Sequence, residues 1–166
     1  EYKDILDLGK IFDKNERAQQ IVGQMQQEVN FAINQTAGYK KRPRALVLEF
    51  MGKEPTVYGE KSLAGDIVKE LHGELLAEKQ RSIGLEQVVE LDPDVIFIVV
   101  TEFNYGREQD MLDRVTQHKA LKHLRCVQQG RVVTLPLYAI YSSGVRTYDG
   151  IKIIAAGMYP DLYKEK

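Results

Sequence analysis

Two stretches of this chain concentrate side chains that can hold a solute. Thr101-Glu-Phe-Asn-Tyr-Gly-Arg107 and Pro136-Leu-Tyr-Ala-Ile-Tyr-Ser-Ser-Gly-Val-Arg-Thr-Tyr148 together carry Phe103, Tyr105, Tyr138, Tyr141, Tyr148, Arg107 and Arg146. A third stretch, Met51–Glu60, adds Tyr58. Aromatic rings supply flat apolar walls, and tyrosine adds a polar tip. A guanidinium donates as a planar fork to carboxylate, catecholate or hydroxamate oxygens. Such a lining suits a bulky anionic chelate. Each residue also has a structural alternative. Loop tyrosines act as surface staples, and Arg146 can pair with Asp149 three positions on.

Catalytic chemistry finds less support. The histidines are His72, His118 and His123. The last two are badly spaced for one helical face and lack an acidic co-ligand, so all three read as surface residues. Ser142-Ser143-Gly144 has neither the nucleophile-elbow pattern nor a placed histidine. Glu102 is a carboxylate without an evident partner for acid–base work. No phosphate-binding glycine pattern occurs, Gly52, Gly59 and Gly65 being too dispersed. The single cysteine, Cys126, lies among Leu121, Leu124 and Val127 and reads as a small buried hydrophobe. No metal site and no cofactor are expected.

These residues need a scaffold, and 166 residues allow one domain with a real core. Net charge is −1, which favours no nucleic acid. Lys40-Lys41-Arg42 and Arg44 read as a solvated loop. No apolar run is long enough to span a membrane. No signal peptide or lipid-anchor cysteine is evident, and a start at Glu1 reads as an excised piece.

Periodicity places the elements. Residues 2–12 form the end of a helix, with Ile5, Leu6, Leu8 and Ile11 as its apolar face and Gly9 loosening it. Asp13-Lys-Asn-Glu16 is a candidate capping box for a long helix to about Thr36. Arg44 to Met51 is a strand, and Thr56 to Tyr58 a short edge strand. Ser62 caps a helix to about His72. A short helix runs from Gly84 to Leu91 with Leu85, Val88 and Val89 inward. Val95 to Val100 is an unbroken apolar run, which marks a central strand covered on both faces. Helices over Glu108–His118, Ala120–Val127 and Asp149–Met158 surround a third strand, Arg131–Leu135. The alternation predicts an α/β three-layer sandwich, with a mostly parallel central sheet and helices on both faces. Ligands of such sheets sit at the carboxyl ends of the strands, where the three loops above must gather.

The order of segments supports a family resemblance. Leu8-Gly-Lys-Ile-Phe12 precedes the long helix, and Leu85 to Asp94 precedes the central strand. Gly130-Arg131 opens the third strand, and Arg146 leads into a helix ending at Tyr159-Pro160. This pattern resembles the C-terminal lobe of the ABC-importer solute-binding proteins that carry iron–siderophore, haem or cobalamin. Nothing corresponds to the N-terminal lobe. The resemblance implies an extracytoplasmic protein, anchored or periplasmic, that binds an iron chelate or tetrapyrrole between two lobes and catalyses no reaction. Residues 1–12 would end the inter-lobe linking helix, and residues 13–166 would form the lobe. Tyr58, Phe103, Tyr105, Tyr138, Tyr141 and Arg146 would face the ligand. Partners would be an ABC permease and the missing lobe. In this family a glutamate opening the matching helix docks on permease arginines, and Glu86 holds that place. Its alternative role is complementing the helix dipole. Two other functions fit a sheet of this kind: a lobe of a metal-cofactor enzyme, nitrogenase-like or chelatase-like, and a pure interaction domain. The enzyme would need cysteine or histidine ligands, which Cys126 in an apolar helix serves poorly.

Overall fold

The structure, a computed structural model, describes residues 2–52, 54–141, 144 and 146–163. Its centre is strand β4, Val95–Val100, in which every residue is buried. β1 (Arg44–Glu49) and β5 (Val132–Pro136) flank it, both parallel to it. Leu46 lies opposite Ile96 in one ladder, and Ile96 opposite Val132 in the other. Two short strands share the far edge of β1. β2 (Thr56–Val57) pairs antiparallel at its end, and β3 (Glu74–Leu75) pairs parallel at its start. The order is β2-β1-β4-β5, with β3 beside β1.

Among the described residues there are seven α-helices: α1 Tyr2–Ile11, which packs on α2, and α2 Asn15–Ala37, α3 Leu63–Glu70, α4 Leu85–Leu91, α5 Glu108–Thr116, α6 Arg125–Gln128 and α7 Thr147–Met158. Strand side chains alternate between faces. Val47, Phe97, Val99 and Leu135 pack on one side with Ala32, Ile67, Val68 and Ile154 from α2, α3 and α7. Leu46, Leu48, Ile96 and Ile98 pack on the other with Val88, Met111, Val115 and Cys126 from α4, α5 and α6. Apolar residues on both faces make β4 a continuous run rather than an alternating one. Each large side chain buried this way contributes about 1.5–3 kcal/mol. α7 lies close enough on β4 that a Cβ at Gly157 would stand 2.6 Å from the Phe97 ring. The expected three-layer α/β architecture is the one observed.

Several local expectations are corrected. Asp13 does not cap α2, whose N-cap, Lys14, makes no side-chain cap bond. Asp13 instead takes a left-handed conformation, φ 52°. Its N–H donates to the Lys10 carbonyl and that of Lys14 to Gly9, which closes the end of α1 in a Schellman motif. The tight reversal folds α1 back on α2, and Gly9 is buried where a Cβ would collide with Ala18. Gly9 therefore permits close packing and does not loosen the helix. Leu8 and Ile11, expected inward, are exposed together with Phe12. β1 stops at Glu49, two residues early. Val89 turns outward, 39% exposed. The helix expected from Ala120 begins at Arg125, after a series of turns. Ser62 caps α3 as expected, accepting from the Gly65 N–H at 3.0 Å.

The basic loop is not simply solvated. Lys41 Nζ lies 3.0 Å from Asp94 Oδ1, and Arg125 lies 2.7 Å from the same oxygen. The Arg44 N–H donates to Asp94 Oδ2 at 3.0 Å. Asp94 is 4% exposed and ties the amino ends of β1 and β4 to α6. Burial alone would raise its pKa. The Arg44 amide and the Lys41 and Arg125 charges outweigh that and hold the carboxyl below its ordinary 3.8. His72 also departs from a free surface residue: it is half-buried with φ 62°, and its Nε2 is enclosed.

Candidate functional site

The carboxyl ends of β1, β4 and β5 open into one cavity of about 930 Å³. Parallel pairing sends the chain out of all three strands at the same end of the sheet, so the three loops meet. Tyr58, Phe103, Tyr105, Tyr138, Tyr141 and Arg146 all line this cavity. Phe103 and Tyr105 are carried on and beside a 3₁₀ turn, Glu102–Asn104, directly after β4. Tyr138 sits on a second 3₁₀ turn, Leu137–Ala139, after β5. Several rings face solvent: Phe103 is 86% exposed and Tyr141 76%. The cavity is thus an open face with apolar walls, not a closed chamber.

Arg146 stands at the N-cap position of α7. Its guanidinium carbon lies 4.4 Å above the centre of the Tyr138 ring. Stacking on an aromatic face holds the cation without neutralising it. Among the described residues no carboxylate pairs with it, and Asp149 contributes only a backbone N–H to the Arg146 carbonyl. The arginine fork thus remains available for an anionic group.

Tyr58 follows β2 and donates its hydroxyl proton to Glu49 Oε2 at 2.8 Å. Glu49 closes β1, lines the cavity and is 7% exposed. Burial first, and then the Glu49 carboxylate, push the Tyr58 phenol well above its ordinary pKa of 10.0. Tyr58 is therefore a neutral hydroxyl at physiological pH. Sequence reasoning missed Glu49. It is the single charged residue after Arg44 in an otherwise apolar strand, placed at the strand's carboxyl end, and that was the available signal.

Other loop residues lie elsewhere. Arg107 is turned into the first turn of α5, with its Nε 2.9 Å from Asp110. Tyr148 carries the Lys152 ammonium over its ring at 4.1 Å. Glu102 lines the cavity as an exposed carboxylate. Ser142 and Ser143 lie outside the described residues. Cys126 is fully buried in α6, and burial raises its thiol pKa to about 11, which makes it a poor thiolate ligand. Among the described residues no group of histidine, cysteine and carboxylates is placed to hold a metal ion, and no helix is long and apolar enough to cross a membrane.

Glu86 lies apart from the cavity, exposed in the first turn of α4. The cap of that helix is made by Gln87, whose Oε1 accepts from the Gly84 N–H at 3.0 Å. Glu86 makes no ion pair among the described residues.

An α/β lobe with an open aromatic face at its strand ends is the architecture of one half of a two-lobe binding protein. Residues 2–139 match the family described as periplasmic binding protein, and the chain belongs to that family. A periplasmic binding protein from Veillonella parvula superposes with TM-score 0.88 at 41% identity, over 98% of this chain and 51% of that one. An ABC-type Fe3+-hydroxamate transport protein from Saccharomonospora viridis has the same fold, with TM-score 0.76 at 23% identity, over 94% of this chain and 54% of its own. Among curated proteins, the uncharacterized ABC transporter substrate-binding lipoprotein YvrC of Bacillus subtilis is 24% identical over 169 residues, 99% of this chain and 51% of that protein. The chain thus spans about half the length of these relatives.

Proposed function

We propose that this chain is the C-terminal lobe of an extracytoplasmic solute-binding protein. It captures an iron–siderophore, haem or cobalamin-type chelate in a cleft shared with a second lobe and delivers it to an ABC permease without chemical reaction. The observation that carries this reading is the convergence of Tyr58, Tyr138, Tyr141 and Arg146 on one open cavity at the strand ends. Similar folds belong to a protein described by Fe3+-hydroxamate transport and to Staphylococcus aureus IsdE, solved with haem. Residues 2–12 would be the tail of the helix linking the lobes. The apolar Leu8, Ile11 and Phe12, exposed here, would then find cover in the rest of the protein.

Titration of the full-length protein with haem, cobalamin and ferric siderophores tests the reading. One of them is expected to bind tightly. Arg146→Ala is expected to weaken an anionic chelate by about 1.5–3 kcal/mol, the worth of a charge-assisted hydrogen bond. Unchanged affinity together with a lowered melting temperature would make Arg146 structural.

A further inference from the structure

Besides the exposed Glu102, two opposite charges held in place by neighbouring side chains line the cavity. Arg146 offers a stacked guanidinium, and Glu49 offers a carboxylate. Glu49 is not a surface acid that happens to lie nearby. It is 7% exposed, anchored in the last ladder position of β1 opposite Thr56, and oriented by the Tyr58 hydroxyl at 2.8 Å. That hydrogen bond occupies Oε2. Among the described residues nothing donates to Oε1. A solute settling into the cavity strips the remaining water from this oxygen. An ionised carboxylate left without a donor in that position is strongly penalised, and a second anion beside it is repelled. A protonated amine on the solute would meet it with a charge-assisted hydrogen bond.

Resting on the chelate-capture reading above, we propose that Glu49 is the specificity-determining residue of the cleft. It selects a bipolar ferric chelate, whose anionic oxygens meet Arg146 and whose protonated amine sits on the free oxygen of Glu49. Purely anionic chelates are disfavoured.

The test uses the full-length protein and a matched pair of probes. One is the ferric complex of a linear trihydroxamate ending in a free amine. The other is the same complex with that amine acetylated. The wild type is expected to favour the amine form roughly ten- to hundredfold, the range of one charge-assisted hydrogen bond. In Glu49→Gln, which keeps the shape and removes the charge, the two affinities are expected to agree within about twofold. Tyr58→Phe leaves both carboxylate oxygens to the solute and is expected to widen the preference, which decides the matter should Glu49→Gln fail to fold. A wild type indifferent to acetylation, a Glu49→Gln protein that keeps the preference, or a Tyr58→Phe protein that does not widen it would overturn the role of Glu49 and leave chelate capture standing. Binding of haem or cobalamin but of neither hydroxamate would do the same. A wild type that binds no chelate at all would remove the parent reading, and this one with it.

Discussion

Asp94 shows how one side chain couples the scaffold to pH. Its folded carboxyl titrates below the ordinary 3.8 because an amide and two cations favour the charged form over the cost of burial. The unfolded chain binds the proton more readily, so the contribution to stability is fully present above about pH 4 and is lost as pH falls through the lower folded value. Asp94→Asn is expected to destabilise by about 1–3 kcal/mol near neutrality, the range for stranding a buried hydrogen-bond partner. Denaturant midpoints of wild type and variant are expected to converge as pH falls through the lowered folded pKa of Asp94, below which both side chains are neutral. A gap that stays constant in acid would assign the effect to shape rather than charge. Asp94 was not legible in the sequence, because Lys41 and Arg125 come to it across 53 and 31 residues. Glu49 was hidden for a related reason: its orienting group, Tyr58, arrives through the antiparallel turn-back of β2. Arg107 failed in the opposite direction. A local pair with Asp110 captured a side chain that the loop composition pointed toward the solute.

At the level of elements, a pattern was readable wherever a segment was long and its burial uniform. The run Val95–Val100 announced a strand with cover on both faces, and β4 is paired on both edges. β3 has two residues and gives no periodicity to read; only its pairing with Arg44 and Ala45 defines it. The false capping box arose because an acidic residue before a helix can equally well finish the previous one. The left-handed turn at Asp13 decides in favour of finishing it. Helix α4 lies away from the cavity. We propose that Glu86, exposed in its first turn, docks on arginines of the permease. Glu86→Arg in the full-length protein is expected to leave solute affinity intact and to lower stability by no more than about 1 kcal/mol, the value of a helix-end charge. It is expected to impair uptake in reconstituted vesicles, since ion pairs across an interface set orientation and association rate. Normal uptake by this variant would end the docking assignment.

For the molecule as a whole, the decisive fact is the openness of the cavity at its strand ends. Phe103 and Tyr141 are largely in solvent, while binding sites for small molecules enclose about 70–90% of the solute. Residues 1–166 alone are therefore expected to bind ferric chelates and tetrapyrroles weakly. Submicromolar affinity by calorimetry on this lobe would show that the site is complete without the other half. A different consequence follows from Tyr159. Its hydroxyl donates to the Leu71 carbonyl at 2.6 Å, across 88 residues, and its ring meets Tyr39 edge-on at 4.9 Å. A ribosome makes the acceptor and the first ring long before it makes the donor. The seam joining α3 to the segment after α7 thus stays unfastened until Tyr159 has been made. Closing so long a loop adds only a slowly growing entropic charge, so the delay is one of sequence order and not of a steep barrier. Until that tyrosine is made, this flank of the lobe lacks both its hydrogen bond and its ring contact.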